Sequence, residues 1–288
     1  MRLLLVHGRG QGERSEEELR RDWTAALERG YDAAGVDSPR DVDIRLPFYG
    51  ALLDELTAKL HQKAQRVIAR GDDPEPVDDF QRALVLALAQ GAGISPAEVE
   101  AAREREVVAR GPENWEIVQV AAQLLSRRVP WLTRAGIARY TADVDAYLNF
   151  PHVQFDVNQL ILGHIDAEPT VVVGHSLGSV VAYSVLAGLA GRLNAPLFVT
   201  IGAPLGVGAI KDRLRRPLGI PAGVRRWLNA SDERDPVALF SRLDASSFVG
   251  GIENHTKVRN PSDWAHWIGG YLADAHVAKS IAAALSGT

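Results

Sequence analysis

The sequence predicts an α/β chain in which a mostly parallel sheet is wrapped by helices on both faces. Two observations carry this. Short apolar runs bounded by glycine and polar residues recur along the chain and alternate with helical segments. The run Val171-Val172-Val173 is β-branched throughout, as expected of a strand buried on both faces, and an Ala-rich apolar segment from Leu177 to about Ala190 follows it as a helix.

In chain order, Arg2–Val6 reads as the first buried strand, followed by the glycine-rich turn His7-Gly8-Arg9-Gly10-Gln11-Gly12. Ser15 then opens a helix, with Glu18 completing a capping box and Gly30 as its expected stop. Val42, Ile44 and Leu46 alternate with Asp43 and Arg45, which predicts a half-exposed strand. Residues 50–140 carry few strand signals and read as helical throughout. Phe80, Leu84 and Leu88 share one helical face, Ser95-Pro96-Ala97-Glu98 is a second capping box, and Gly111-Pro112 ends that helix. This block reads as an insertion in a single domain, forming a cap over the carboxyl edge of the sheet, with padding of one sheet face as the alternative. Leu197–Ile201, Arg225–Leu228 and Thr256–Val258 are the later strand candidates, and a final helix is expected from about His266 to Leu285.

Composition narrows the function. The chain has 288 residues, 46% apolar and 24% charged, as in soluble globular proteins. A net charge of −4 argues against a general nucleic-acid binder. There are no cysteines, which excludes disulfides, thiolate metal sites and a thiol nucleophile. No run approaches ~18 apolar residues, so no membrane span is expected, and a cytoplasmic setting is the default.

The stretch Gly174-His175-Ser176-Leu177-Gly178 lies between the buried strand and its helix. Gly-x-Ser-x-Gly in that context forces the serine onto a tight turn with its hydroxyl exposed, and the helix N-terminus behind it favours negative charge. Ser176 is therefore the candidate nucleophile. A serine hydroxyl needs a base, usually a histidine held in one tautomer by a carboxylate. In a parallel sheet such groups belong at the carboxyl ends of strands. His266 fits the base, lying between the last strand candidate and the final helix; His255 would begin that strand, at the wrong end. Asp235 fits the acid, because Pro236-Val237 re-enters packed structure just after it; Asp232 is the rival. The oxyanion donors expected are the backbone N–H groups of Leu177 and Arg9.

The order Ser176, Asp235, His266, together with the His7-Gly8 turn, resembles the α/β-hydrolase superfamily. Gly174–Ser179, the segment Thr200-Ile201-Gly202-Ala203-Pro204-Leu205-Gly206, Asp235-Pro236-Val237-Ala238 and His266–Leu272 look like its lipase-like branch, which includes GPI inositol-deacylase-like proteins. The resemblance covers roughly residues 1–50 and 140–285. It implies an α/β-hydrolase fold and a serine esterase acting on a lipid-like or acyl ester, without metal or organic cofactor. A thioesterase, a serine peptidase or a non-catalytic binding module on the same scaffold are the alternatives. The two strands that usually precede the His-Gly strand are absent, which makes Val42–Leu46 a sheet edge.

Two other features compete. Gly8-Arg9-Gly10-Gln11-Gly12 follows a strand, but position 13 is Glu, so the dinucleotide spacing is not met. Residues 211–226 hold Lys211, Arg213, Arg215, Arg216, Arg225 and Arg226 against Asp212. They read as a solvated helix first, and as an attraction for anionic substrates or an anionic membrane surface second. Trp115, Val118 and Leu125 could form an apolar lid but fit the core of the helical block better.

Overall fold

The structure, a computed structural model, describes residues 1–9, 14–69, 78–105, 113–260 and 262–287, with the backbone alone for 61–69, 78, 113–116 and 262. Gly10, Gln11, Gly12, Gly111 and Pro112 and the side chain of Trp115 lie outside the described set. The elements run β1 (Arg2–Val6), α1 (Glu16–Ala34), β2 (Asp43–Arg45), α2 (Gly50–Ala69), α3 (Asp78–Gly91), α4 (Pro96–Arg105), α5 (Glu113–Arg128), α6 (Arg134–Asn149) and α7 (Pro151–Leu162). They continue with β3 (Thr170–His175), α8 (Leu177–Leu189), β4 (Phe198–Ile201), α9 (Gly208–Lys211), β5 (Trp227–Ala230), β6 (Glu253–His255), α10 (Ile268–Leu272) and α11 (Ala275–Ser286). The strands form one six-stranded sheet in the order β2-β1-β3-β4-β5-β6, every pair parallel. The fold is α/β, consistent with an α/β-hydrolase-like architecture.

Strand pleating divides the core in two. Leu3, Leu5, Val171, Val173, Val199 and Ile201 point to one face and pack with α1, α10 and α11. Leu4, Val6, Val172, Phe198 and Trp227 point to the other, where α8 and the helical block α2–α7 cover them. Phe80, Leu84, Leu88 and Leu125 are buried in that second core, with Val118 packed against it. The block thus serves as packing for a face of the sheet, and its α5–α6 connection reaches past the carboxyl edge.

Several local expectations are corrected. Gly30 does not stop α1, which runs on to a left-handed cap at Gly35. A Cβ at Gly30 would lie 2.4 Å from Leu272 O, so this glycine lets α1 approach α10 closely. The last strand is Glu253–His255, not Thr256–Val258, so His255 ends it. Asn254 explains the choice: its side chain bonds Leu243 N and O and the Asn229 amide, fixing a register that β-branched residues alone would have placed later. The final helix is two, because Asp274 caps a fresh start through His276 N and Val277 N. Residues 211–226 are not a helix beyond Lys211; Pro217 and Pro221 preclude one.

Candidate active site

The turn from β3 into α8 shows why two glycines flank Ser176. A Cβ at Gly178 would stand 2.2 Å from Val6 O, and one at Gly174 would stand 2.7 Å from Gly178 O. Neither glycine can carry a side chain without parting helix from strand. Ser176 itself has φ 55° and ψ −127°, a strained conformation for a non-glycine residue. The strain lifts the side chain out of the sheet edge into a cavity of about 240 Å3 lined by Gly8, Arg9, Tyr140, Ser176 and His266 among others.

Asp235 and His266 reach the cavity from the loops after β5 and β6. His266 Nδ1 lies 2.6 Å from Asp235 Oδ2. Tyr271 donates its hydroxyl to the same oxygen at 2.8 Å, and Val237 N donates to Asp235 Oδ1 at 3.0 Å. With the carboxylate as acceptor, His266 carries its proton on Nδ1 and leaves Nε2 as the basic nitrogen. Gly202, at φ 55°, makes room for the pair: a Cβ there would lie 3.0 Å from Asp235 Oδ2 and 3.1 Å from His266 Nδ1. Among the described residues the Ser176 hydroxyl and His266 Nε2 have no hydrogen-bond partner.

Asp232 is occupied elsewhere. Arg234 grips both its oxygens at 3.0 and 2.7 Å, and Asn260 N donates at 2.9 Å. Burial opposes its charge, but these bonds hold the carboxyl below the usual carboxylate range. His255 turns toward Asp274 and His276, away from the cavity.

Two buried histidines frame the serine. His175 Nε2 lies 3.1 Å from His266 O, and the two rings are 4.7 Å apart. Burial, reinforced by the neighbouring His266, pushes His175 well below its ordinary value, so it stays neutral. Burial likewise lowers His7 to about 4. Its Nε2 accepts from Tyr49 N at 3.1 Å and its Nδ1 donates to Gly8 O at 2.6 Å, which fixes the neutral tautomer. Gly8 lies directly against the serine, since a Cβ there would be 3.0 Å from Ser176 Cβ.

Arg9 is tied down by the helical block. Its Nε donates to Asp143 Oδ2 at 2.8 Å and its Nη1 to Gly136 O at 3.3 Å. Asp143 is 1% exposed, and burial raises its carboxyl while Arg9 opposes the rise. This anchor, the Tyr271 hydroxyl and Gly202 were missed in the sequence, where Tyr271 and Asp143 look like ordinary helix residues. The cavity mouth is aromatic: Trp131 stacks parallel to His266, and Trp264 and Trp267 are 57% and 38% exposed. In the basic stretch, Arg216 pairs with Asp212 and Arg226 with Glu253, and Arg213 sits over the Phe80 ring. No helix among the described residues is long and apolar enough to cross a membrane.

Compared with known proteins, the chain matches no family model, no curated protein and no solved structure.

Proposed function

We propose that the chain is a serine hydrolase of the α/β-hydrolase superfamily, similar to its lipase-like branch, that cleaves an ester by acyl transfer through Ser176. One observation carries the reading: an Asp–His pair whose basic nitrogen has no partner among the described residues lies in the same cavity as a serine held in a strained strand-to-helix turn. His266 Nε2 takes the serine proton as Oγ attacks the ester carbonyl. The tetrahedral oxyanion is held by the backbone N–H groups of Leu177 and Arg9. His266 then gives the proton to the departing alcohol, leaving an acyl-serine, and water repeats the sequence to release the acid. Asp235 stabilises the imidazolium in between. The helix that starts at Leu177 adds the positive end of its dipole where the oxyanion forms.

In the basic stretch Arg216 and Arg226 are paired with Asp212 and Glu253, and no step of this chemistry uses them. The cavity is smaller than the ~300–1,000 Å3 usual for drug-sized ligands, which favours a compact acyl ester over a long-chain lipid. The test is covalent labelling by a fluorophosphonate. The wild type should label at Ser176 and Ser176→Ala should not; an unlabelled wild type ends the reading.

A further inference from the structure

Tyr140 is 5% exposed, yet its hydroxyl makes no hydrogen bond among the described residues. Buried phenols normally find a partner. This hydroxyl is not sealed in the core either: Tyr140 lines the cavity that holds Ser176. Its place on α6 explains the orientation. Gly136, Tyr140 and Asp143 lie four and three residues apart, on one face of the helix. The carbonyl of Gly136 and the carboxylate of Asp143 both hold the Arg9 guanidinium. Tyr140 therefore faces the turn after β1, beside the expected oxyanion donors. Burial, with the Asp235 charge behind it, raises the phenol well above its ordinary value, so it stays protonated and can only gain by donating.

We propose that Tyr140 is a substrate-binding residue whose hydroxyl donates a hydrogen bond to an acceptor oxygen in the acyl part of the ester, which makes the natural substrate a compact, oxygen-bearing acyl ester. This rests on the hydrolase reading of the same cavity. The rest of the lining supports the class. Trp131, Leu132, Val237 and Ile268 supply largely apolar walls, against which the Tyr140 hydroxyl stands as a neutral donor. A site built to satisfy one donor rejects an analogue that leaves it unpaired.

The experiment compares two near-isosteric esters, p-nitrophenyl methoxyacetate and p-nitrophenyl butyrate, in the wild type and in Tyr140→Phe. Phe keeps the ring and removes a hydroxyl that has no partner among the described residues, so the Tm should stay within about 1 °C of the wild type. The variant should lower kcat/KM about tenfold for the methoxyacetate and by less than about twofold for the butyrate. An equal loss on both esters overturns the acyl acceptor, and no loss on either overturns substrate contact altogether. A drop in Tm of several degrees shows a structural hydroxyl and overturns it as well. Labelling of Ser176 by a fluorophosphonate without turnover of either ester overturns the compact acyl class alone. Absence of both labelling and turnover brings down the hydrolase reading beneath it.

Discussion

Tyr271 and His266 both donate to one oxygen of Asp235, Oδ2, at 2.8 and 2.6 Å. The tyrosine hydroxyl also accepts from Asp232 N at 3.0 Å, so it bridges the acid of the candidate site to the backbone of the neighbouring Asp232.

Removing that bridge should affect activity and stability together. Tyr271→Phe leaves the buried Asp232 N–H unpaired, at a cost of about 1–3 kcal/mol. It should also lower kcat/KM roughly fivefold by loosening Asp235. In an Asp235→Asn background the activity loss should disappear, because the two residues act through one contact. Steady-state kinetics of the four proteins measure this directly, and additive losses would show that Tyr271 acts elsewhere.

The two aspartates should separate cleanly. Asp235→Asn is expected to reduce kcat by up to ~10⁴ through the wrong histidine tautomer, with a modest change in Tm. Asp232→Asn should spare kcat and weaken the fold, because Arg234 and Asn260 lose their acceptor. Asp232 is held below its ordinary 3.8, so its stabilisation is fully present above that pH and is lost as pH falls through the folded value. Acid titration of unfolding should therefore show a shallower limb below about pH 3.8 in Asp232→Asn than in the wild type.

Strain at Ser176 is measurable. Both Ser176→Ala and Ser176→Gly should abolish turnover, by about 10⁶ if the site acts as a triad. Glycine alone adopts φ 55° and ψ −127° without penalty. The Gly variant should thus unfold at a higher temperature than the Ala variant, by an amount matching about 1–2 kcal/mol. Equal Tm values would mean that the turn stores no strain.

The buried histidines set a second pH dependence in the same direction, at higher pH. His7 falls from 6.5 to about 4 on folding, so between those values the unfolded chain binds a proton that the folded chain refuses. Stability should decline as pH falls from 6.5 toward 4 and level off below, as far as this group is concerned. His175, also held neutral, adds in the same direction. Replacing His7 by Gln, whose Oε1 can accept from Tyr49 N, should flatten the slope measured by urea unfolding at successive pH values.

What the sequence revealed and what it hid follows from range of interaction. The serine turn was legible because its glycine spacing is local, and each glycine proves to face backbone within 3 Å of where a side chain would start. Asp235, preferred to Asp232 because Pro236-Val237 re-enters packed structure, is the one that meets His266, with Val237 N anchoring its other oxygen. His266 lies beside Asp235 at the cavity although its preceding strand was misplaced, since the argument needed only the loop beyond it. Tyr271, Gly202, Asp143 and Tyr140 were not legible. Each acts across 33 residues or more, through contacts that no periodicity encodes.

The outer strands β2 and β6 are three residues each and only partly shielded. Both are studded with engaged charge: Asp43 lies between Arg2 and Arg45, and Glu253 meets Arg226. An approaching chain would have to displace these pairs to reach a few backbone groups at either margin. The sheet is thereby poorly suited to growing sideways, and the protein should resist β-type self-association even when crowded.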